Sequence, residues 1–211
     1  MSWKSSIRLA VVFVLSKTTS ASLNALVEWT QMSMFFTADT HFSHAKIIQY
    51  CNRPFASVEE MDKELIARWN ETVAPNATVY HLGDFGFFPH VEDADRLTRQ
   101  LHGTIHLIVG NHDKKPTLDV KRWASVKDYL SFKINKRRIV MGHYPFRSWR
   151  GSNGGSINLH GHEHGTMTPF ANQVDVGVDA WDFRPVAIEQ IIARLTLTQP
   201  AEANLTELLC D

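Results

Sequence analysis

The sequence predicts an α/β fold with a mixed central sheet or sheets. From residue 34 onward, short apolar runs alternate with amphipathic helical patterns, and the second half of the chain is richer in strands. The chain has 211 residues, of which 44% are hydrophobic and 21% charged, so it can bury the core of one ordinary globular domain. We expect this domain to span residues 32–198.

The first half of the domain is predicted to contain three strands and four helices. The strands cover residues 34–38, 78–82 and 104–109, which are short, apolar and followed by polar residues. The clearest helix covers residues 57–73, because apolar residues recur there at helical spacing and Ser57 with Glu60 forms a capping-box pattern. Further helices are expected over residues 45–50, over residues 91–102 (ended by Gly103), and over residues 118–129.

The second half is predicted to contain four strands and a last helix. Residues 130–134 and 138–141 flank Asn135, Lys136 and Arg137, which predicts a hairpin. Residues 156–159 and 174–178 are two further strands, and residues 186–195 form the helix. We expect residues 199–211, which are weakly patterned, to form a surface tail.

Residues 1–31 differ from the rest of the chain and form a predicted N-terminal extension. Lys4 and Arg8 precede an apolar run over residues 9–15, and small residues surround Ala21, a pattern that an export signal also has. We favour an upstream extension because Met32 and Met34 stand directly before the first strand. The apolar run is too short for a membrane helix, which takes about 20 apolar residues. We therefore expect a cytoplasmic protein with no membrane segment.

Composition argues against several functional classes. The 22 basic and 22 acidic side chains balance, which disfavours a protein that binds polyanions through a basic surface. Two cysteines are too few for a disulfide scaffold. The 11 histidines are the unusual feature, because histidine is often recruited for metal binding and proton transfer.

Polar residues follow five of the predicted strands at the point where each strand ends. In open α/β sheets, ligands bind beyond the carboxyl ends of the strands, so these side chains are expected to meet at one rim. The five clusters are Asp39-Thr40-His41, Gly83-Asp84, Gly110-Asn111-His112-Asp113, Gly142-His143 and Gly161-His162-Glu163-His164.

The chemistry of these clusters predicts a metal centre. Carboxylate oxygens, imidazole nitrogens and an amide oxygen suit divalent ions such as Mn, Fe, Zn or Mg, and the clusters offer no thiolate for copper or iron–sulfur. Seven side chains of these clusters are candidate ligands, which is more than one tetrahedral ion needs. If one carboxylate bridges two ions, the seven supply four ligands to each ion. The seven are Asp39, His41, Asp84, Asn111, His143, His162 and His164. The expected cofactors are two divalent ions, Mn²⁺ first, with Fe, Zn, Ni, Co or Mg as alternatives.

In this order the five clusters resemble the motifs of the calcineurin-like metallophosphoesterase superfamily, over residues 34–195. The resemblance implies a four-layer α/β/β/α sandwich with mixed sheets and a two-metal site at the sheet edge. It also implies the division of the metal ligands. Asp39, His41 and His164 would hold one ion, Asn111, His143 and His162 would hold the other, and Asp84 would bridge both.

The resemblance also implies catalytic roles. His112 would contact the phosphate and stabilise the transition state or protonate the leaving group, while a hydroxide that bridges the metals attacks phosphorus. Asp84 would support this attack as the bridging ligand. Asp113 is expected, from its position next to His112, to orient that imidazole.

Substrate contacts are predicted from weaker patterns. Arg53 and Arg147 are expected to bind phosphate oxygens and Tyr144 to stack on a base or ring, with the alternative that these side chains only line a loop. His44, which lies close to a metal motif in the chain, and Asn111, which lies within one, complete the set.

The predicted function is hydrolysis of a small phosphodiester or phosphomonoester. The chain lacks a long insertion that could cap the cleft, which favours diesters. The alternatives are a metal-dependent nuclease, which the zero net charge disfavours, and a non-catalytic interaction domain, which the complete ligand set disfavours. No oligomeric state is predicted.

Overall fold

The structure is a computed structural model that describes residues 34–168 and 170–198. The predicted extension over residues 1–31 and the predicted tail over residues 199–211 lie outside the described residues. Within the two described ranges, no helix is long and apolar enough to cross a membrane.

The first of two mixed sheets contains most of the parallel strands. Its members are β1 (Met34–Thr37), β2 (Thr78–His81), β3 (Thr104–Ile108), β4 (Ser125–Lys127) and β9 (Val186–Ala187). Their order is β4-β3-β2-β1-β9. Strands β1 to β4 run parallel, whereas β9 pairs antiparallel with β1. The carboxyl ends of β1, β2 and β3 therefore meet at one edge.

The second sheet contains the predicted hairpin. Its strands are β5 (Tyr129–Ile134), β6 (Arg137–Gly142), β7 (Ile157–His160) and β8 (Gln173–Asp175), and they lie in that order. Strand β5 is antiparallel to β6, and the other pairs are parallel. The turn residues Asn135 and Lys136 have φ values of 47° and 68°, the left-handed conformation that a two-residue hairpin turn needs.

Five helices accompany the sheets in the described part of the chain. They are α1 (Ala45–Tyr50), α2 (Val58–Thr72), α3 (Val91–Thr98), α4 (Lys115–Leu118) and α5 (Ile188–Thr198). The start of α2 agrees with the capping pattern, since Ser57 Oγ accepts a hydrogen bond from the Glu60 N–H at 3.2 Å. Single 3₁₀ turns cover Ser152–Gly154 and Val178–Ala180.

Alternate residues along the first sheet face two separate cores. On one face, Val79 and Ile105 belong to a cluster with Met61, Leu65 and Trp69 of α2. The other face packs against the second sheet and α5, in a cluster that includes Phe36, Ile108, Ile139, Met141, Ile157, Leu159 and Ile191. This period-two alternation is what strands buried on both faces require. The predicted mixed α/β architecture is thereby confirmed.

The strand predicted over residues 174–178 ends at Asp175, and the helix predicted over residues 91–102 ends at Thr98. Two further segments differ in type from the prediction. Residues 118–129, predicted as a helix, contain the end of α4, all of β4 and the first residue of β5. Ser125–Lys127 pair with the edge of β3, and this backbone pairing outweighs a weak helical spacing of apolar residues. Residues 186–187, predicted as the start of the last helix, pair with β1 instead, so the helix begins at Ile188.

Candidate metal centre

Asp39, His41 and His164 form a first group of side chains whose placement could hold a metal ion. One ligand atom from each lies within 4.8 Å of the others. Asp39 and His41 are buried, and within the described part of the chain neither Asp39 Oδ1 nor either ring nitrogen of His41 has a hydrogen-bond partner. Buried polar atoms normally have partners, because leaving one unpaired costs about 1–3 kcal/mol. The unpaired lone pairs of this group fit a divalent ion.

Asp84, His143 and His162 form the second group, again with ligand atoms within 4.8 Å of one another. Asn111 joins them, because its Oδ1 lies 2.9 Å from His143 Nε2 and 3.0 Å from His162 Nδ1. Two ligands on neighbouring octahedral positions, each about 2.1 Å from an ion, are roughly 3 Å apart. The spacing of the amide oxygen and the two imidazoles therefore also fits a divalent ion.

Asp84 lies between the two groups. Its Oδ2 is 3.6 Å from His41 Nε2 and 3.5 Å from His143 Nε2. One carboxylate oxygen thus faces a histidine of each group, which is the position that a bridging ligand needs. The structure brings all seven predicted metal ligands together, from strand ends that belong to both sheets.

In His143 and His164, hydrogen bonds determine which of the two ring nitrogens carries the proton. His143 Nδ1 lies 2.8 Å from the Leu82 carbonyl oxygen, which can only accept, so Nδ1 donates. His164 Nδ1 donates to Asp179 Oδ2 at 2.7 Å. In a neutral imidazole this arrangement leaves Nε2 with a free lone pair, the usual state of a metal-binding histidine.

Burial and neighbouring groups shift the ionisation of the ligands. Burial lowers the pKa of His41 to about 2, so its imidazole is neutral. Burial acts to raise the pKa of Asp84, but interactions with His143 outweigh it and lower the value to about 2. Burial raises the pKa of Asp39 to about 7. For His164, burial acts to lower the pKa, but the hydrogen bond to Asp179 is the main opposing cause and the value rises to about 10.

Five of the predicted ligands have a left-handed backbone conformation. The φ values are 56° for Asp39, 50° for His41, 57° for Asp84, 73° for His162 and 48° for His164. For residues other than glycine, such conformations cost on the order of 1–3 kcal/mol each, and they cluster at functional sites. The neighbouring loops must hold these turns, and Gly110 is one requirement, since a side chain there would collide with Asp84.

Asp113 supports this backbone and does not contact the His112 ring. Its Oδ2 accepts the N–H groups of Asp84 and Gly110, both at 2.9 Å, and its Oδ1 accepts the Phe85 N–H at 2.9 Å. Among the described residues, no hydrogen bond joins the Asp113 carboxylate to the His112 ring. The expectation that Asp113 orients His112 is therefore wrong, because its oxygens hold together the loops after β2 and β3.

His112 lies beside the first group of ligands. Its backbone N–H donates to Asp84 Oδ1 at 2.8 Å. Its ring is partly exposed, 5.6 Å from the ring of His41 and 5.2 Å from that of Phe87. The imidazole is therefore near the proposed ions without belonging to either group of ligands, as a residue that contacts substrate should be.

Arg53 has a different role from the predicted one. It is buried, and its Nε and Nη2 donate to the two carboxylate oxygens of Asp179, both at 2.8 Å. The remaining N–H groups donate to the carbonyl oxygens of Asp39 and Thr40 and to the sulfur of Met61. Because all five N–H groups are used, the predicted contact between Arg53 and a substrate phosphate is wrong.

The other candidate substrate contacts lie at the margin of the centre. The ring of His44 stacks on Phe87 at 3.9 Å and is 5.4 Å from the ring of His41. Tyr144 is 48% exposed, with its ring 4.6 Å from that of His162. Arg147 is exposed on the loop after β6. Positions beside the centre are compatible with substrate binding for His44, Tyr144 and Asn111, and these roles stay predictions, as does that of Arg147.

Asp179 is the residue that sequence reasoning missed. It follows Gly177 after β8, so a glycine and a carboxylate beyond a strand were the available signal. Its carboxylate joins His164 to Arg53, and these interactions keep the pKa of Asp179 below its ordinary value despite burial. Cys51, His164 and Asp179 also lie close enough together to be a third group of possible metal ligands. The Asp179 carboxylate, however, already accepts hydrogen bonds from Arg53 and His164, so this group does not fit an ion as well as the other two.

Two mixed sheets, with side chains that could hold divalent ions gathered at one edge, are the architecture of a metallophosphoesterase. Residues 32–186 match the model of the calcineurin-like phosphoesterases. The chain therefore belongs to this family, whose members are metal-dependent hydrolases of phosphoric esters.

Two other proteins are similar to this chain. The uncharacterised protein MJ1445 of Methanocaldococcus jannaschii is 35% identical over 167 residues, which cover 75% of this chain and 89% of the relative. The crystal structure of AQ665 from Aquifex aeolicus, a protein of unknown function, superposes with a TM-score of 0.62 at 23% identity. That match covers 78% of this chain and 99% of the other and supports the fold alone.

Proposed function

We propose that this protein is a dinuclear metal-dependent phosphoesterase that hydrolyses a small phosphate ester, with diesters preferred. The observation that carries the proposal is the position of Asp84 Oδ2 between His41 Nε2 and His143 Nε2, at 3.6 and 3.5 Å. A single-ion site has no need for a carboxylate shared between two sets of ligands. We keep Mn²⁺ as the expected ion, with Fe, Zn, Ni, Co and Mg as alternatives.

Seven residues would hold the two ions, and His112 would act on the substrate. Asp39, His41 and His164 would hold one ion, Asn111, His143 and His162 would hold the other, and Asp84 would bridge them. Two such ions, when bound, lower the pKa of water and neutralise charge on phosphoryl oxygens. The His112 imidazole, which no ion needs, would donate a hydrogen bond or proton to the leaving-group oxygen, contributing about 10²–10⁴-fold to the rate.

Supporting residues would keep this arrangement rigid. Asp179 would fix the ring of His164, because its carboxylate accepts the Nδ1 proton. Arg53 would hold Asp179 and, through the carbonyl of Asp39, the first ligand loop. Asp113 would hold the loop of Asp84. Asp113 would therefore act by positioning Asp84, without touching the substrate.

Hydrolysis of bis(p-nitrophenyl) phosphate tests the proposal. Protein stripped with EDTA should be inactive, and Mn²⁺ should restore turnover with two ions bound per chain. A matched assay with p-nitrophenyl phosphate measures the preference for diesters, and one with single-stranded oligonucleotides tests for a nuclease. Failure of all six metals to support turnover would contradict the enzyme assignment, and full activity with one bound ion would contradict the dinuclear centre. The cytoplasmic location, also a proposal, is tested by cell fractionation.

A further inference from the structure

A cavity of about 260 Å³ lies beside His112. Its walls are the loop after Asp84 and the segment from His112 to Thr117, which includes part of α4. The lining residues are Gly86, Phe87, Phe88, Pro89, His112, Lys114 and Thr117. None of these residues except His112 has a role in the proposed reaction, so the cavity is a feature that the metal centre alone does not explain.

The cavity adjoins the metal centre through Phe87. The ring of Phe87 lies 5.2 Å from the ring of His112 and 5.8 Å from that of His41. A molecule in the cavity would therefore be in reach of the imidazole assigned to the leaving group. Because His112 lines the cavity, an occupant of the cavity would lie on the leaving-group side of the substrate if His112 serves the leaving group as proposed.

The local sequence Phe85-Gly86-Phe87-Phe88-Pro89 builds an apolar wall. Gly86 is required for it, since a Cβ atom there would come within 2.5 Å of the Phe88 ring. Phe88 packs against Phe85, with ring centroids 6.0 Å apart, so its position is fixed by the buried core. Two aromatic side chains and a proline form a surface suited to a planar apolar group.

The size of the cavity limits what it can hold. Pockets that bury a whole drug-sized ligand have volumes of about 300–1,000 Å³, so a cavity of about 260 Å³ has room for a planar ring. Resting on the proposed function, we propose that the cavity binds a planar aromatic ring carried by the leaving group of the phosphate ester. The substrates of this protein are accordingly aryl or nucleoside esters, whose leaving group carries an aromatic ring.

Binding of two phosphonates tests the assignment without turnover. The protein is loaded with Zn²⁺, and titration calorimetry compares phenylphosphonate with methylphosphonate, which lacks the ring. Stacking of one ring on aromatic side chains predicts that the phenyl compound binds about tenfold tighter. Phe88→Leu should reduce this preference to about twofold. Phe170→Leu, at an exposed aromatic residue outside the cavity, should leave the preference unchanged.

The outcomes separate the cavity from the metal centre. Equal affinity for the two phosphonates in the wild-type protein would overturn the cavity assignment and leave the metal centre intact. If neither compound bound, the proposed function would fail and the cavity assignment with it. Should Phe88→Leu not fold, nuclear Overhauser effects in the wild-type zinc protein decide. Contacts from the phenyl protons to the Thr117 methyl group are expected, and their absence would refute the assignment.

Discussion

Replacement of Asp179 by Asn removes one negative charge from a buried network beside the metal centre. The carboxylate accepts three hydrogen bonds of 2.7–2.8 Å, two from Arg53 and one from His164. An Asn side chain keeps one acceptor oxygen and turns its NH₂ group toward a donor. If the amide oxygen accepts hydrogen bonds from His164 and Arg53 Nη2, the NH₂ group faces the Nε–H of Arg53. Because both of these groups are donors, that hydrogen bond is lost.

The structure sets the expected size of the effect. Hydrogen bonds to charged groups contribute about 1.5–3 kcal/mol, and removal of one partner from a buried ion pair costs about 3–5 kcal/mol. Arg53 is fully buried in this pair, and Asp179 is 9% exposed. We expect Asp179→Asn to lower the free energy of unfolding by about 3 kcal/mol. Loss of the carboxylate that orients a metal-binding histidine should also weaken metal binding about 10–100-fold.

Two measurements and two control variants separate these effects. Urea unfolding of EDTA-treated protein gives the stability, and calorimetric titration with Mn²⁺ gives the affinity. Asp182→Asn changes an exposed ion pair with Arg68 and should alter stability by no more than about 1 kcal/mol. Ile191→Ala, in the core between the sheets, should cost about 2–5 kcal/mol without weakening Mn²⁺ binding to the folded protein. Unchanged Mn²⁺ affinity in Asp179→Asn would refute the reasoning.

Three other predictions concern the centre itself. Asp84→Asn should weaken Mn²⁺ binding by more than the roughly 100-fold expected for a group that supports a ligand, and calorimetry should find fewer than two ions bound. His112→Ala should keep both ions and lose about 10²–10⁴-fold in kcat; loss of metal would instead make His112 a ligand. In metal-free protein, the raised pKa of His164 contributes stability that is complete below 6.5 and disappears as the pH rises to about 10. Urea unfolding from pH 6 to pH 10 should therefore show a larger loss in the wild type than in His164→Gln.

The convergence of the metal ligands could be predicted because it depends on local features. Each ligand lies within four residues after the end of a strand, and the carboxyl ends of adjacent parallel strands lie at the same edge of a sheet. Family resemblance supplied the division of the ligands between two ions. The geometry adds the left-handed turns at Asp39 and Asp84, a conformation that costs energy for residues other than glycine and that needs support from elsewhere in the chain.

That support could not be predicted because it comes from distant segments. Arg53 and Asp179 are separated by 126 positions, and nothing near Arg53 in the chain indicates that its guanidinium is buried. A loop arginine near metal motifs therefore predicts a contact with phosphate. The same holds for Asp113. Its position next to His112 in the chain predicts a contact between these two side chains, but the Asp113 carboxylate accepts the backbone N–H of Asp84 instead. The strand Ser125–Lys127 likewise depends on the free edge of β3.

Asp39 and His41 have buried atoms without hydrogen-bond partners, so a metal ion that binds them should stabilise the folded protein as well as support catalysis. An ion that binds only the folded chain stabilises it by about 2.7 kcal/mol at 100 times the dissociation constant. In a domain of this size, that stabilisation raises the melting temperature by about 5–11 °C. Differential scanning calorimetry of EDTA-treated protein with and without Mn²⁺ measures the shift, and Asp84→Asn at the same concentration should show a smaller one. If none of the six metals raised the melting temperature, the buried atoms would need partners other than a cation, and the fit of both ligand groups to divalent ions would be wrong.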